Sequence, residues 1–404
     1  MITPTLALML FATTLDVGPG KAFARIEDAV KSAVEGDNIV IYPSPDHYSN
    51  TAIRLQKRLT IRGAGPKPVA IDGSGFDYSG SGSVPRAIFQ VEPSASGSKI
   101  VNLDLSGAHN GSYNGAGVRI QAANDVTISD CVIHDNDMGI MSNGKEGDSK
   151  AGSNQTIEYC LIERNGNVKD PGYNHNLYLG GTSVHVSHCE IRNSTTGHNV
   201  KSRAHYILID YCWIHDAANR EIDLPEGWDT ERRNSNAVLI ANQIVKDPNC
   251  SGNCGVLHFG QEKGTRNGSL YLFRNTFVTP FSSPVVLVSS SNSTIVAMTN
   301  VFLNTEQSRA ELWTANGQNL AVLATNIRSS PAYGTIPGEF NQTGKSKSDT
   351  FDLVAPRYLS KFAGQIAGAV KPDRWIDGDG KQVEAIVDFN RMTHVGPRAS
   401  PGKY

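Results

Sequence analysis

Two stretches of the chain carry one pattern. His175 to Gly181 reads HNLYLGG, and 23 residues later His198 to Ala204 reads HNVKSRA; EIDLPEG (221–227) follows in a related frame. If each is a strand, its side chains alternate between faces. Taking Leu177, Val200 and Ile222 as inward residues turns Tyr178, Lys201 and Asp223 outward, with Arg119, Met141 and His258 in the same register. The same alternation puts Asn176, Asn199 and Glu221 on the outward face two residues earlier, and Arg203 two residues after Lys201. With His175, His198 and Arg220 close by, the segment 175–225 gathers imidazole, phenol, ammonium, guanidinium and carboxylate groups on one side.

Such a set suits removal of a weakly acidic proton next to a carboxylate, as in β-elimination from a uronic-acid polysaccharide. That reaction needs the carboxylate neutralised, a base at the carbon, and a proton for the departing oxygen. Lys201 is the candidate base. Arg203 and Arg220 are rigid, always-charged forks that match a carboxylate. Tyr178 or His258 could protonate the leaving oxygen, and His175 and His198 are alternative acids or bases because imidazole titrates near neutrality. Asn176, Asn199, Glu221, Asp223, His258 and Trp228, in the loop GWDTERRNSN (227–236), make up the candidate substrate-binding set. Two other readings stay open. Glu221 and Asp223 could work as the carboxylate pair of a glycoside hydrolase, or the cluster could be the surface of a non-catalytic, adhesin-like glycan-binding protein. No metal ligand is assigned, but calcium held by Glu221, Asp223 and Asn199 is an alternative, since hard oxygen donors suit it.

An internal period must position these residues. VTISDCVIHDND (126–137), QTIEYCLIERNG (155–166), VHVSHCEIRNST (184–195) and ILIDYCWIHDAA (207–218) align on Cys131, Cys160, Cys189 and Cys212, with spacings of 29, 29 and 23. Asn242, Asn275 and Asn300 continue the register downstream, and Leu103 holds it upstream. Repeats of this length built from short β segments predict an all-β solenoid. The Cys/Asn position is expected to be an inward stack beside a corner, because small thiols pack well and stacked Asn amides can hydrogen-bond along the axis. A zinc site would prefer close C-x-x-C pairs. Cys250 and Cys254 lie in a polar loop, where a small disulfide is an open alternative.

A solenoid needs covered ends. KAFARIEDAVKSAVEGD (21–37) has the spacing of an amphipathic helix and predicts an N-terminal cap over about 21–34. Regular patterning fades after Asn304, so 306–404 is read as an irregular tail packed on the coils, with a short helix near 358–369. Lys+Arg number 37 and Asp+Glu 39, for a net charge of −2, which gives no electrostatic case for nucleic acid. No apolar run reaches the roughly 18 residues of a membrane span. The run Leu6 to Leu15 fits the core of a secretory signal, so residues 1–15 are a candidate signal segment.

DVGPGKAFARIEDAVKSAVEGDNIVIYP followed by LTIRGAGPKPVAIDG resembles the opening of pectate-lyase-like right-handed parallel β-helix proteins. The resemblance spans about residues 16–305. It implies a single-stranded right-handed parallel β-helix, and more weakly a polysaccharide lyase, since hydrolases, esterases and phage spikes share the architecture. Lys201-Ser202 is similar to the Lys-Ser of chondroitinase-B-like and alginate lyases, which implies Lys201 as base. Those enzymes carry acidic calcium ligands shortly before that Lys; here Ser194, Thr195, Thr196, Gly197 and His198 precede it. The expected protein is a monomeric polysaccharide lyase of a uronate-containing polymer, secreted or periplasmic in a bacterium.

Overall fold

The computed structural model describes residues 12–80, 84–143, 152–227, 230–260, 262, 264–280, 285–290 and 293–304, strand segments within 313–328 and at 342–343, and a hairpin within 373–385. Among them, strands stack into three parallel sheets of 12, 11 and 10 strands. Each coil gives one strand to each sheet. Thr127–Ser129 lies in the first, Val132–His134 in the second and Met138–Asn143 in the third. This is a parallel β-helix, with the right-handed crossover that parallel strands adopt.

Each repeat is two short strands in different sheets, with the expected corner between them. The chain turns at the residue just before the Cys/Asn position. Asp130, Tyr159, His188, Tyr211, Ala241, Arg274 and Thr299 all take φ between 52° and 59° there. A left-handed residue that is not glycine costs of order 1 kcal/mol. Stacking offsets it: each such turn places the next side chain on the same inward column. Cys160 N–H points to Cys189 Sγ at 3.5 Å and Cys189 N–H to Cys212 Sγ at 3.4 Å. Cys212 N–H donates to Asn242 Oδ1 at 2.9 Å, and Asn242 and Asn275 pass the amide ladder on to Asn300. All four cysteines are buried free thiols, and burial pushes Cys131, Cys160 and Cys189 well up from their ordinary pKa. Cys250 and Cys254 form a disulfide.

The core is three aligned apolar columns. Ile128, Ile157, Val186, Ile209 and Leu239 fill the first sheet's inner face, Ile133, Ile162, Ile191, Ile214 and Ile244 the second's, and Val118, Ile140, Leu177, Val200, Ile222 and Leu257 the third's. Each buried side chain contributes roughly 1.5–3 kcal/mol. At the N-terminal end the helix Ile26–Ser32 buries Ile26 and Ala29 over the first coil. The spacing predicts a longer helix, but Arg25 and Ala33 are extended and bound it. Thr14 and Leu15, at the end of the candidate signal segment, belong to a strand (Thr14–Val17) paired with Asn38–Ile41; residues 1–11 lie outside the described residues.

Coil stacking runs on past the 305 boundary that the sequence pattern suggests. Trp313–Ala315, Leu320–Ala324, Ile327–Arg328 and Gln342–Thr343 all join the sheets. The segment 358–369 lies outside the described residues. The hairpin Asp373–Ile376 and Gln382–Ala385 buries Trp375 on the outside of the first sheet, among Tyr211, Val238 and Phe273, with its indole N–H on Tyr206 Oη at 2.9 Å. No helix among the described residues is long and apolar enough to cross a membrane.

Candidate active face

The outer face of the third sheet carries the row that the alternation predicts. Tyr178, Lys201, Asp223 and His258 are direct neighbours in register. Stacked parallel strands put successive members about 4.8 Å apart. Their exposure differs from expectation, however. Lys201 is 9% exposed, Asp223 fully buried and His258 3% exposed. These side chains face outward from the sheet into a floor that other groups cover.

Asp223 is the hub of that floor. His258 Nδ1 lies 2.7 Å from its Oδ1, and Arg220 Nη1 donates to the same oxygen at 3.2 Å. Lys201 Nζ is 3.1 Å and His198 Nε2 3.3 Å from Oδ2, neither aligned as a hydrogen bond. Burial pushes the Asp223 carboxyl up, but the His258 hydrogen bond and the surrounding cationic groups outweigh it and hold the group well below the usual range. His258 is pinned at its other nitrogen by Ser289 Oγ at 2.7 Å.

Lys201 and Arg203 meet on a carboxylate that the repeat pattern did not reveal. Glu262 Oε1 accepts from Lys201 Nζ at 2.9 Å, and Glu262 Oε2 accepts from Arg203 Nη2 at 2.6 Å. Arg203 Nε also donates to Tyr178 Oη at 3.2 Å, and its Nη1 donates to the Glu226 carbonyl. Glu226 in turn accepts the backbone N–H groups of Glu262 and Gly264, which fixes that loop above the row. Burial raises the Glu262 carboxyl pKa, yet the Lys201 and Arg203 bonds win and hold it below its ordinary value. An ammonium and a guanidinium thus converge on one carboxylate, with a phenol beside the guanidinium.

His175 and His198 stack face to face at 4.9 Å, and both are nearly fully buried. His198 N–H donates to His175 Nδ1 at 3.0 Å, and Arg220 N–H to His198 Nδ1 at 3.1 Å. Each Nδ1 is therefore an acceptor, which leaves the proton of the neutral ring on Nε2. Burial pushes His198 down to about 4 and His175 well below its ordinary value. Both are neutral donors at pH 7, behind the row rather than on it.

Asn176, Asn199 and Glu221 depart from the outward row expected for them. They turn inward as a second ladder. Asn136 donates to Asn165, Asn165 to Asn176 and Asn176 to Asn199, at 3.0, 2.9 and 2.7 Å, and Asn199 Nδ2 donates to Glu221 Oε2 at 2.6 Å. Glu221 Oε1 accepts from Ala217 N–H at 2.9 Å and Lys246 Nζ at 3.1 Å, with both charged side chains fully buried. This corrects two expectations. Glu221, sealed in the wall on Lys246, cannot face a glycan beside Asp223 as a hydrolase partner. Nor do Asn199, Glu221 and Asp223 converge as calcium donors, because Asn199 presents its amide nitrogen to Glu221 while its oxygen accepts from Asn176. Trp228 lies outside the described residues.

The class that this geometry defines is a parallel β-helix with a cation-lined outer face on one sheet. No family model matches the chain, and no curated protein matches it. Among solved structures, the pectate lyase Pel9A aligns at a TM-score of 0.44 and 12% identity, covering 96% of this chain and 90% of that one. The pectin methylesterase from Aspergillus niger, in deglycosylated form, aligns at 0.33 and 11%, covering 87% and 95%. The fold assignment rests on the strand pairing, not on these alignments.

Proposed function

We propose that the protein cleaves a uronate-containing polysaccharide by β-elimination on the outer face of the third sheet. The observation that carries this reading is the bridge from Lys201 and Arg203 to Glu262, because the two cations already hold a carboxylate between them. A substrate uronate that displaces Glu262 would find the same two partners. Lys201 and Arg203 then neutralise the carboxylate and so acidify the neighbouring C5–H. Tyr178, whose oxygen accepts from Arg203, would in its phenolate form take the C5 proton and then return it to the departing oxygen. Lys201 as base, the role that its Lys-Ser context implies, would first have to give up its ion pairs with Asp223 and Glu262. Asp223, itself held by His258 and Arg220, pairs with Lys201 and steadies its side chain, and secretion fits a polymeric substrate.

The test is a panel of polygalacturonate, alginate, hyaluronate and chondroitin sulfate, with xylan as neutral control. A rise in ultraviolet absorbance from unsaturated uronide ends is expected on at least one acidic polymer and not on xylan. Lys201→Ala and Arg203→Ala should each lower kcat/KM by about 100-fold or more. Glu262→Gln should lower KM, since its carboxylate competes for the clamp. New reducing ends without that absorbance would replace elimination by hydrolysis. Binding with no new ends at all would leave a glycan-binding scaffold.

A further inference from the structure

Further along the same face stands a cation with no anion among the described residues. Arg119 pairs in register with Met141, Met141 with Tyr178, and Tyr178 with Lys201. Arg119 is thus three rungs from Lys201, on the order of 14 Å. It is 8% exposed, and its Nε and Nη1 have no hydrogen-bond partner. Arg86 belongs to the same neighbourhood, and its guanidinium Nε donates to the Gly80 carbonyl at 2.9 Å. The Arg86 carbonyl accepts from Ala116 N–H at 3.1 Å, and Arg86 N–H donates at 2.9 Å to Gln90 Oε1, whose residue is Arg119's other neighbour in register. Glu92 does not serve Arg119: its Oε1 already takes Arg54 Nε and Gln90 Nε2, both at 2.7 Å. Burial, with Arg86 nearby, pushes Arg119 down to about 10, so it stays charged at neutral pH.

A buried, unpartnered cation is strongly unfavourable for the fold. The fold gains nothing from it, because an apolar side chain of similar length would fill the place without that cost. The expense is accounted for if an anion from outside completes the site. Between Arg119 and Lys201 the face is apolar: Met141 and Tyr178 pack on Ala87, Ala116 and Met138. Such a strip suits the flat face of a sugar ring.

We propose that Arg119 and Arg86 form a second anion subsite, which takes a carboxylate or sulfate on the same polysaccharide chain whose uronate is held by Lys201 and Arg203. This rests on reading the Tyr178–Arg203 face as a polysaccharide site. Its consequence is length dependence: a glycan must span three rungs to use both clamps.

The experiment compares wild type with Arg119→Gln and Arg119→Met, using di- and hexasaccharides of galacturonate and of alginate, and inorganic sulfate. By calorimetry, both variants should bind the hexasaccharide about 10-fold or more weakly and the disaccharide unchanged. Sulfate should raise the wild-type Tm and do so less in either variant. Without ligand, Arg119→Met should melt at or above the wild-type temperature, because a frustrated charge is gone. Hexasaccharide affinity within twofold of wild type in both variants would overturn the subsite, as would an Arg119→Met protein that fails to fold, which would make the residue structural. Loss of hexasaccharide binding in the variants without any cleavage by wild type would keep the subsite and remove the lyase. Cleavage with no dependence on Arg119 would do the reverse.

Discussion

Replacing Glu221 by Gln tests whether the inner ladder ends on a structural charge. The carboxylate accepts three bonds, from Ala217 N–H, Asn199 Nδ2 and Lys246 Nζ, with no exposed surface on either charged side chain. Burial pushes the Glu221 carboxyl above its ordinary range, against the pull of Lys246 and the amides. A Gln has one accepting oxygen. If that oxygen faces Asn199, its NH2 meets Ala217 N–H and the ammonium; if it faces those two, NH2 meets NH2 at Asn199. Either way a buried donor goes unsatisfied, at about 1–3 kcal/mol. Lys246 also loses its counter-ion and keeps only the carbonyls of Ala217 and Asn219. Together the loss should be about 3–5 kcal/mol, the usual size for breaking a buried pair from one side. Lys246→Met should cost a similar amount, and the double variant less than the sum, by about 2 kcal/mol. Guanidinium unfolding followed by circular dichroism on all four proteins measures this. The same experiment tests a catalytic role for Glu221, because turnover by folded Glu221→Gln should equal wild type. Stability within 1 kcal/mol of wild type, or a stable variant without turnover, would refute the reasoning.

Two further outcomes follow from the outer face of the second sheet and from the thiol column. The hydrogen bond to Asp104 at 2.8 Å raises His134 to about 9, against the opposing effect of burial and with help from Asp135. The folded pKa exceeds the unfolded one, so this contribution is complete below about pH 6.5 and is lost as pH rises through about 9. Allowing for the partial exposure of all three groups it amounts to about 1–2 kcal/mol, and Tm measured from pH 6 to 10 should fall less steeply in His134→Gln; parallel curves would reject it. Cys160→Ala opens a small void in the thiol column and should cost about 1–2 kcal/mol in denaturation with kcat unchanged, whereas a folded variant with impaired kcat would give that column more than a packing role.

The solenoid, its three-column core and the register of the outer row were legible because a period of 23–33 residues repeats the same corner. What the pattern cannot carry is side-chain direction beyond the ends of three-residue strands. Asn176 and Asn199 immediately precede Leu177–Leu179 and Val200–Ser202, at a corner where strand alternation no longer holds. Carrying the period of two through that corner turned the Asn ladder inside out. Glu262 was missed for a different reason: it reaches Lys201 from a loop 61 residues away. A useful signal existed in FGQEKG, where an acid follows the last strand of the charged row. Arg119 was in the expected row, but its lack of a partner is a property of the folded surroundings rather than of spacing.

The two charged outer faces differ in how their charges are satisfied, and that difference supports the third sheet as the proposed ligand face. On the second sheet, His134 lies between Asp104 and Asp135, Arg164 on Asp135, Arg192 between Glu163 and Glu190, and His215 between Glu190 and Asp216. Those partners come from the same or the adjacent coil, so among these described residues the ladder closes on itself. On the third sheet Lys201 shares the buried Asp223, but it and Arg203 then depend on Glu262, a carboxylate one-third exposed and brought in by a loop, while Arg119 depends on nothing in the described chain. A partly exposed carboxylate on two cations is held weakly enough to exchange, since solvent screens what burial would otherwise strengthen. The cations themselves are fixed by the sheet, three rungs apart, and cannot relax toward other partners. A polyanion lying along the third sheet would satisfy both at once, whereas the same polymer on the second sheet would have to break ion pairs already made.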